Sequence, residues 1–255
     1  MKEPVIKKPI AFIPARAGSK RVSHKNIRQL DGHPLLAYSI RAAIDSDVFD
    51  SVVCVTDDVD YAEIAQHYGA EVPVLRPKDI SGDKSPDIEW VTWILDKLHD
   101  MGRSFDAFSI LRPTSPFRTA STIQRAWTQF SSLQGVDSLR AVEKCKQHPG
   151  KMWVVRGEHM LPLLPLSPKE QPWHSSQYSA LPTVHVQNAS LEIAWTRVIF
   201  EESTIAGNVI SPFMTTEEEG LDINEEFDWW KAEHLLQLGQ VTLPVINTKS
   251  WKVEN

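Results

Sequence analysis

Residues 10–27 read IAFIPARAGSKRVSHKNI. The first five are apolar or proline, the pattern of a short buried strand closed by Pro14. The chain then turns polar and cationic, with Arg16, Lys20, Arg21 and Lys25, and His24 among them, in a loop that holds Gly18 and Ser19. The whole chain carries a formal net charge of -6, so this concentration of positive charge is local. An apolar strand opening into a basic, glycine-containing loop is how an open α/β sheet presents an anion site at a strand's carboxyl end. Gly18 permits close backbone approach to an anion, Ser19 adds a hydroxyl and an amide donor, and Arg16 offers a planar fork that fits phosphate oxygens. A merely solvated basic loop has the same composition, and the loop alone does not separate the two readings.

Working outward, 255 residues with 42% hydrophobic content suffice for one large domain, or one domain with an inserted subdomain. No run of about 18 apolar residues is present, so no membrane-spanning helix is expected. The opening MKEPVIKKP lacks the apolar core of a signal peptide. Cys54 and Cys145 stand far apart without a paired spacing, which points to free thiols and a cytoplasmic setting. The acidic balance argues against nucleic acid as a partner. Most of the nine tryptophans are expected to fill core or interface.

Short apolar runs alternate with helical patterns through the first 145 residues. IAFIP (10–14), SVVCVT (51–56), EVPVL (71–75), FDAFSIL (105–111) and DSLRAV (137–142) read as strands. Between them PLLAYSIRAAI, DYAEIAQHYG, PDIEWVTWILDKL and STIQRAWTQF carry helical spacing, with Pro34 suited to a first turn, Pro86 near a start and Gly69 at a close. The rhythm predicts a doubly wound, mostly parallel sheet. In such sheets ligands sit beyond the carboxyl ends of the strands, so the loop at 15–26, TDD at 56–58 and RPTSP at 112–116 are expected to converge. From 146 to 186 the rhythm breaks into a segment rich in proline, histidine and tryptophan, which reads as an inserted flap or dimerisation arm. It resumes with VHVQNASLEIAW, VISPFM and LDINEEFDWWKAEHLLQL.

No Walker A, GxGxxG, HExxH or paired-cysteine motif occurs. In RPTSPFR, Pro113 and Pro116 stiffen a turn after a strand. In LDINEEFD, Asp222 stands at a strand end with Asn224 two residues on, so in an extended chain both side chains face one side and can share a metal ion. Asn224 equally reads as the N-cap of the following helix.

Together these pieces resemble the acylneuraminate cytidylyltransferase family across nearly the whole chain. The carriers are IPARAGSKRVSHKNI, VTDD after the second strand, LRP at 75–77, LRPTSPFR at 111–118, QNASLEI at 187–193 and LDIN at 221–224, in the family's order and spacing. The resemblance implies a nucleotide-diphospho-sugar transferase type of fold, a single domain over 1–255 with the flap inserted, and a homodimer with an arm crossing to the neighbour. It implies that CTP and a nonulosonic (2-keto-3-deoxy) sugar acid give a CMP-sugar and pyrophosphate, with Mg²⁺. Carried over by position, Ala15, Arg16, Gly18, Ser19, Lys20, Arg21, Lys25 and Asn26 would line the nucleotide. Arg16 and Lys25 would serve as the catalytic cations on the triphosphate, and Arg76 and Ser85 would face the cytosine. Arg112, Thr114, Ser115, Gln187 and Asn188 would meet the sugar, and Asp222 with Asn224 would hold the metal.

The chain departs from the family twice. Asn224 replaces the second aspartate of the metal motif, and the flap reads QPWHSSQYSALP (171–182) where an arginine in a PRQ-type sequence is usual. Lys151 of HPGK (148–151) is the candidate to meet the sugar carboxylate instead. The resemblance therefore specifies a class of sugar acid and not its member. Two other readings stay open: a nucleotidyltransferase of the same fold acting on a sugar 1-phosphate, and a non-catalytic family member that binds nucleotide.

Overall fold

The computed structural model describes residues 9–216 and 218–251. Most of the N-terminal stretch read for a signal sequence lies outside them. Along the chain run β1 (Ile10–Pro14), β2 (Gln29–Leu30), β3 (His33–Pro34), α1 (Leu35–Asp45), β4 (Ser51–Val55), α2 (Val59–His67), α3 (Asp87–Asp100) and β5 (Ala107–Ile110). They are followed by α4 (Ala120–Ser132), β6 (Ser138–Lys144), β7 (Trp153–Arg156), β8 (His159–Pro162), β9 (His185–Trp195), α5 (Arg197–Glu202), β10 (Ile210–Met214) and α6 (Glu226–Gln237). Six strands form one sheet in the order β10-β6-β9-β5-β1-β4. β1 pairs in parallel with β4 and with β5, whereas β9 runs antiparallel to β5. By its internal contacts the chain forms two compact units, Met1–Ala141 with Asn188–Asn255, and Val142–Gln187.

β1 shows why the sheet is covered on both faces. Its alternate side chains point to opposite sides. Ala11 and Ile13 join one core with Leu36 and Ile40 of α1, Ile64 of α2 and Phe130 of α4. Ile10 and Phe12 join another with Trp90, Ile94 and Leu98 of α3 and Val198 of α5. A strand buried on both faces needs an unbroken apolar run, and IAFI supplies it. A third cluster packs Val22, from within the basic loop, with Leu35, Phe117, Leu221, Ile223 and Trp229. Val22 is 1% exposed. This apolar peg holds a cationic loop in place that its own charges would push apart.

Several expectations are corrected. Residues 71–75 form no strand; Glu71 makes an isolated bridge to Val53, and Pro73, which has no N–H to donate, follows two residues on. Pro34 lies before the helix rather than in its first turn: it is extended (φ -56°, ψ 141°) and occupies the N-cap of α1. Pro86 holds the same position at α3. Gly69 does follow the end of α2, with φ +97°, a conformation that glycine adopts without penalty. The tryptophans divide: Trp90 and Trp229 are buried, Trp93, Trp127 and Trp195 pack partly buried against the cores, and Trp153 and Trp230 are exposed. Cys54 and Cys145 are both free thiols. Among the described residues no helix is long and apolar enough to cross a membrane.

The second unit is built differently. β7 and β8 form an antiparallel hairpin. Val155, Met160 and Leu161 on it are 71%, 54% and 56% exposed. Beside it, His148 knots the proline-rich chain: its backbone N–H donates to Tyr178 Oη (2.5 Å), its Nδ1 accepts from Gly150 N (3.0 Å), and its Nε2 lies 2.9 Å from Pro182 O.

Candidate active site

The loop after β1, the turn after β4 and the RPT turn after β5 do converge. Ala17 N donates to Asp57 Oδ1 (2.8 Å), which ties the basic loop to the TDD turn, and Asn26 Nδ2 donates to Arg16 O (3.2 Å), which closes the loop on itself. Asn26 is buried, and its carbonyl accepts from Leu36 N at the start of α1 (2.9 Å). Gly18 has φ +78° and leaves the space around its Cα open. Beyond these strand ends opens a cavity of about 260 Å³. Arg16, Ser19, Lys25 and Asn26 line it from the basic loop, Arg76 and Ser85 from the segment before α3, and Arg112 and Thr114 from the turn after β5. Ala15 is buried beneath the loop, and the side chains of Lys20 and Arg21 stand exposed.

Each cation is held by acceptors. Arg16 Nη2 lies 2.6 Å from Asp83 Oδ1, and Lys20 Nζ lies 2.5 Å from Asp83 Oδ2. Asp83 is thereby kept well below the usual carboxylate range, first by Lys20 and then by Arg16. Lys25 Nζ donates to Ile223 O (2.5 Å). Burial pushes the Lys25 ammonium below its ordinary value, against the pull of Asp222; Arg21 and Arg16 lower it further. Arg76 is 5% exposed, donates to Ile80 O and stands 5.6 Å over the Trp90 ring. Its Nε is buried and has no hydrogen-bond partner. Burial lowers its pKa as well, with Asp87 opposing.

Behind the cavity lies a chain of ion pairs. Arg112 Nη2 bridges Asp87 Oδ2 (2.5 Å) and Glu192 Oε1 (2.9 Å). Glu192 also pairs with Arg140. Burial works against the ionised Asp87 carboxyl, yet the charge and hydrogen bond of Arg112 hold it below its ordinary value. Burial brings Arg140 down to about 10, with Arg112 adding to the shift. Arg118 is fully buried and donates to backbone and hydroxyl oxygens: Ser190 O, Ser39 Oγ (2.6 Å) and Arg112 O (3.3 Å). Burial alone lowers it to about 9. Ser39 Oγ also donates to Arg112 O (3.2 Å), so the carbonyl that opens the RPT turn is fixed from two sides.

The LDIN segment closes on the same loop. Ile223 N donates to Thr114 O (2.8 Å), and Arg21 Nη2 donates to Asn224 Oδ1 (3.0 Å). Asn224 Nδ2 donates to Asp222 Oδ2 (2.5 Å), while Asp222 Oδ1 is buried without a hydrogen-bond partner. Asn224 is not the helix cap. The N-cap of α6 is Glu225, and Asp228 Oδ2 accepts from both Asn224 N (2.8 Å) and Glu225 N (3.0 Å). Both Asn224 side-chain atoms are committed elsewhere, and Asp228, in the first turn of α6, reaches back to the N-cap backbone to close a capping box with Glu225.

Of the remaining candidates, Ser115 and Asn188 of the first unit are not in this lining. Ser115 is fully buried and its Oγ has no partner. Asn188 donates to Thr215 Oγ1 (2.8 Å) and accepts from Ser190 N (3.2 Å). Gln187 and Lys151 belong to the second unit, where Gln187 is exposed and Lys151 Nζ donates to Ser176 O (2.6 Å) and His174 O (3.4 Å). The sequence reading missed Asp83, Asp87 and Glu192, the carboxylates that balance the cations. Their one signal was the SGDKSPD stretch, which holds two of them around Ser85. Among the described residues no group of three or more His, Cys, Asp or Glu side chains forms a metal cage.

The cap assignment predicts that Asp228→Ala lowers stability by about 1 kcal/mol through the loss of the helix-end acceptor. Asn224→Ala should cost less than half of that. Urea midpoints of the two variants check the difference.

Comparison with known proteins fits this geometry. The Cytidylyltransferase family model matches residues 10–91, which span β1, the basic loop and the start of α3. The chain is 33% identical over 241 residues to CMP-N,N'-diacetyllegionaminic acid synthase of Legionella pneumophila, covering 92% of this chain and 98% of that protein. It is 40% identical over 127 residues to N-acylneuraminate cytidylyltransferase of Escherichia coli O18:K1:H7, covering 50% of this chain and 29% of that protein. A solved structure of CMP:2-keto-3-deoxy-manno-octonic acid synthetase complexed with CTP shares the fold, with a TM-score of 0.66 at 14% identity over 91% of this chain and 100% of that one. With a relative matched at this identity over almost its entire length, the chain belongs to the acylneuraminate cytidylyltransferase family of CMP-sugar synthases.

Proposed function

We propose that this protein joins CTP to a nonulosonic acid-type sugar and releases pyrophosphate. The observation that carries the reading is the cavity at the carboxyl ends of β1 and β5, where Arg16, Lys25, Arg76 and Arg112 converge on one chamber of an otherwise acidic protein. In the reaction the anomeric hydroxyl of the sugar acid attacks the α-phosphorus of CTP. An O–P bond forms as the hydroxyl gives up its proton to water, the α–β anhydride bond breaks, and pyrophosphate leaves with the electron pair. Such a transfer asks the protein for alignment and charge neutralisation more than for covalent chemistry. Arg16, Lys20, Arg21 and Lys25 would hold the triphosphate, and Lys25, fixed on Ile223 O, would meet the charge that grows on the phosphates. Arg76, with its unpartnered buried Nε, and Ser85 would read the cytosine edge.

Mg²⁺ belongs to this proposal. Asp222 suits it, since its Oδ1 is buried and has no other partner. Asn224 would assist only through Asp222, because Arg21 and Asp222 take its amide. Bound there, the ion would neutralise triphosphate charge and draw the reactants together. We also propose a cytoplasmic homodimer. The apolar side chains exposed on the β7–β8 hairpin support a second copy as the surface that covers them.

The reading sets expected outcomes for catalysis, metal binding and assembly. Pyrophosphate release, assayed with four nucleoside triphosphates against a panel of sugar acids and sugar 1-phosphates, should require CTP and a sugar acid. Lys25→Ala should then lose about 10²–10³ in kcat without unfolding, the scale of one lost charge-assisted contact; equal turnover with UTP, or with a sugar 1-phosphate, sinks the reading. Asp222→Asn should weaken Mn²⁺ binding in the presence of CTP, read by water-proton relaxation independently of turnover, while Asn224→Asp strengthens it. Light scattering at micromolar protein should give twice the 28.9 kDa chain mass, and replacing Val155 and Leu161 by Asp should return the monomer.

A further inference from the structure

Asp83 stands where a polyphosphate would compete with it. Its two carboxylate oxygens are shared between Arg16 (2.6 Å) and Lys20 (2.5 Å), two of the cations assigned above to the triphosphate. It lines the same cavity as Arg16, Ser19 and Lys25. The turn that presents it is firmly built: Ser81 Oγ donates to Pro77 O (2.7 Å), Gly82 N to Ser85 Oγ (3.1 Å) and Ser85 N to Gly82 O (3.2 Å). The side chains of Arg16, Lys20 and Asp83 are 34%, 79% and 36% exposed, so both ion pairs stand in high dielectric and exchange readily. A single carboxylate cannot match a polyphosphate, which offers several charges to Arg16, Lys20, Arg21 and Lys25 at once.

We propose that Asp83 is a resident competitor for the polyphosphate: it holds Arg16 and Lys20 in the empty site and returns to them as pyrophosphate leaves. The inference rests on the cytidylyltransferase reading and deepens it. In this role Asp83 shields the cationic cradle from single anions. It also limits the affinity for pyrophosphate, the product that the same cations would otherwise retain. The opposing pull is exerted at the two residues a polyphosphate must recruit and not on the nucleoside, so Asp83 bears on the polyphosphate tail alone.

The test is titration calorimetry of the full chain with pyrophosphate, CTP and CMP, each with Mg²⁺, on the wild type and on Asp83→Asn and Asp83→Ala. Melting curves of all three report folding. Both variants should bind pyrophosphate and CTP about three- to tenfold more tightly, as expected for releasing two exposed ion pairs, and CMP within about twofold of the wild type. The gain should fade at about 0.5 M salt, where exposed charges are screened. In turnover the inhibition constant for pyrophosphate should drop by the same factor. Unchanged or weaker pyrophosphate binding in both variants, or a gain that persists at high salt, overturns the competitor role; if the wild type still turns over CTP, the cytidylyltransferase reading stands. A wild type that binds neither CTP nor pyrophosphate overturns both.

Discussion

Gathering like charges at one point of a fold is the constraint around which this structure is arranged. Arg16, Lys25, Arg76 and Arg112 line a single cavity, with Lys20 and Arg21 beside it on the same loop. Left to themselves these cations would splay the loop after β1 into solvent, since at close range like charges in a partly desolvated site repel by several kcal/mol. The fold opposes this with three devices. Val22 is driven into an apolar cluster, Lys25 is tied to the backbone of Ile223, and carboxylates are placed against Arg16, Lys20 and Arg112. The seam between the basic loop and the LDIN segment, some 200 residues apart in sequence, follows from the first two devices.

The charges are graded by depth. At the rim, Lys20 and Asp83 are exposed, and their pairing is cheap to break. Behind the half-buried Arg112 of the cavity wall, Glu192 and Arg140 form a buried pair, and a buried pair broken on one side leaves an uncompensated charge, a loss of several kcal/mol. Deepest lies Arg118, whose burial costs more than an exposed arginine would and whose donors go to Ser190 O, Ser39 Oγ and Arg112 O. Its geometry fixes the turn that carries Arg112, Pro113 and Thr114. The result is a rigid floor under an adjustable rim, an arrangement suited to binding a large anion and letting part of it go.

The fold was largely readable because β-α alternation leaves strong marks. The apolar runs read at 10–14, 51–56 and 105–111 contain β1, β4 and β5, and helical spacing marked α1 to α4. The exceptions are local. The run at 71–75 looked like a strand by composition, but a single bridge at Glu71 was all it kept, with Pro73 unable to donate. The stretch that forms β9 was read, but its antiparallel direction was not legible, since apolar content does not record direction. At the site the cations were legible, because positive charge is unusual after a buried strand in an acidic chain. Their counter-ions were not: Asp83, Asp87 and Glu192 look like any other acidic residue until the fold brings them to Arg16 and Arg112. Asn224 was left open between metal neighbour and helix cap for the same reason. Its capping potential is local and visible, whereas its hydrogen bond to Arg21 spans 203 residues.

That last contact bears on how charge is divided in the proposed reaction. A second carboxylate at position 224 would face both Asp222 and Arg21. As a neutral amide, Asn224 instead donates one hydrogen bond to Asp222 and accepts one from Arg21, so it links an anion to a cation without adding to either. In the reaction proposed above, Asp222 would offer a metal ion one buried carboxylate oxygen, with Lys25 and Arg21 close enough to act on each other's charge. A magnesium ion prefers few protein carboxylates together with phosphate oxygens and water. On this balance the ion gains little by binding alone beside two cations and much by arriving with a triphosphate that neutralises them. In the proposed reaction nucleotide and metal would then enter together, and a neutral side chain at 224 would leave more of the ion's retention to the substrate's phosphates than a second carboxylate would.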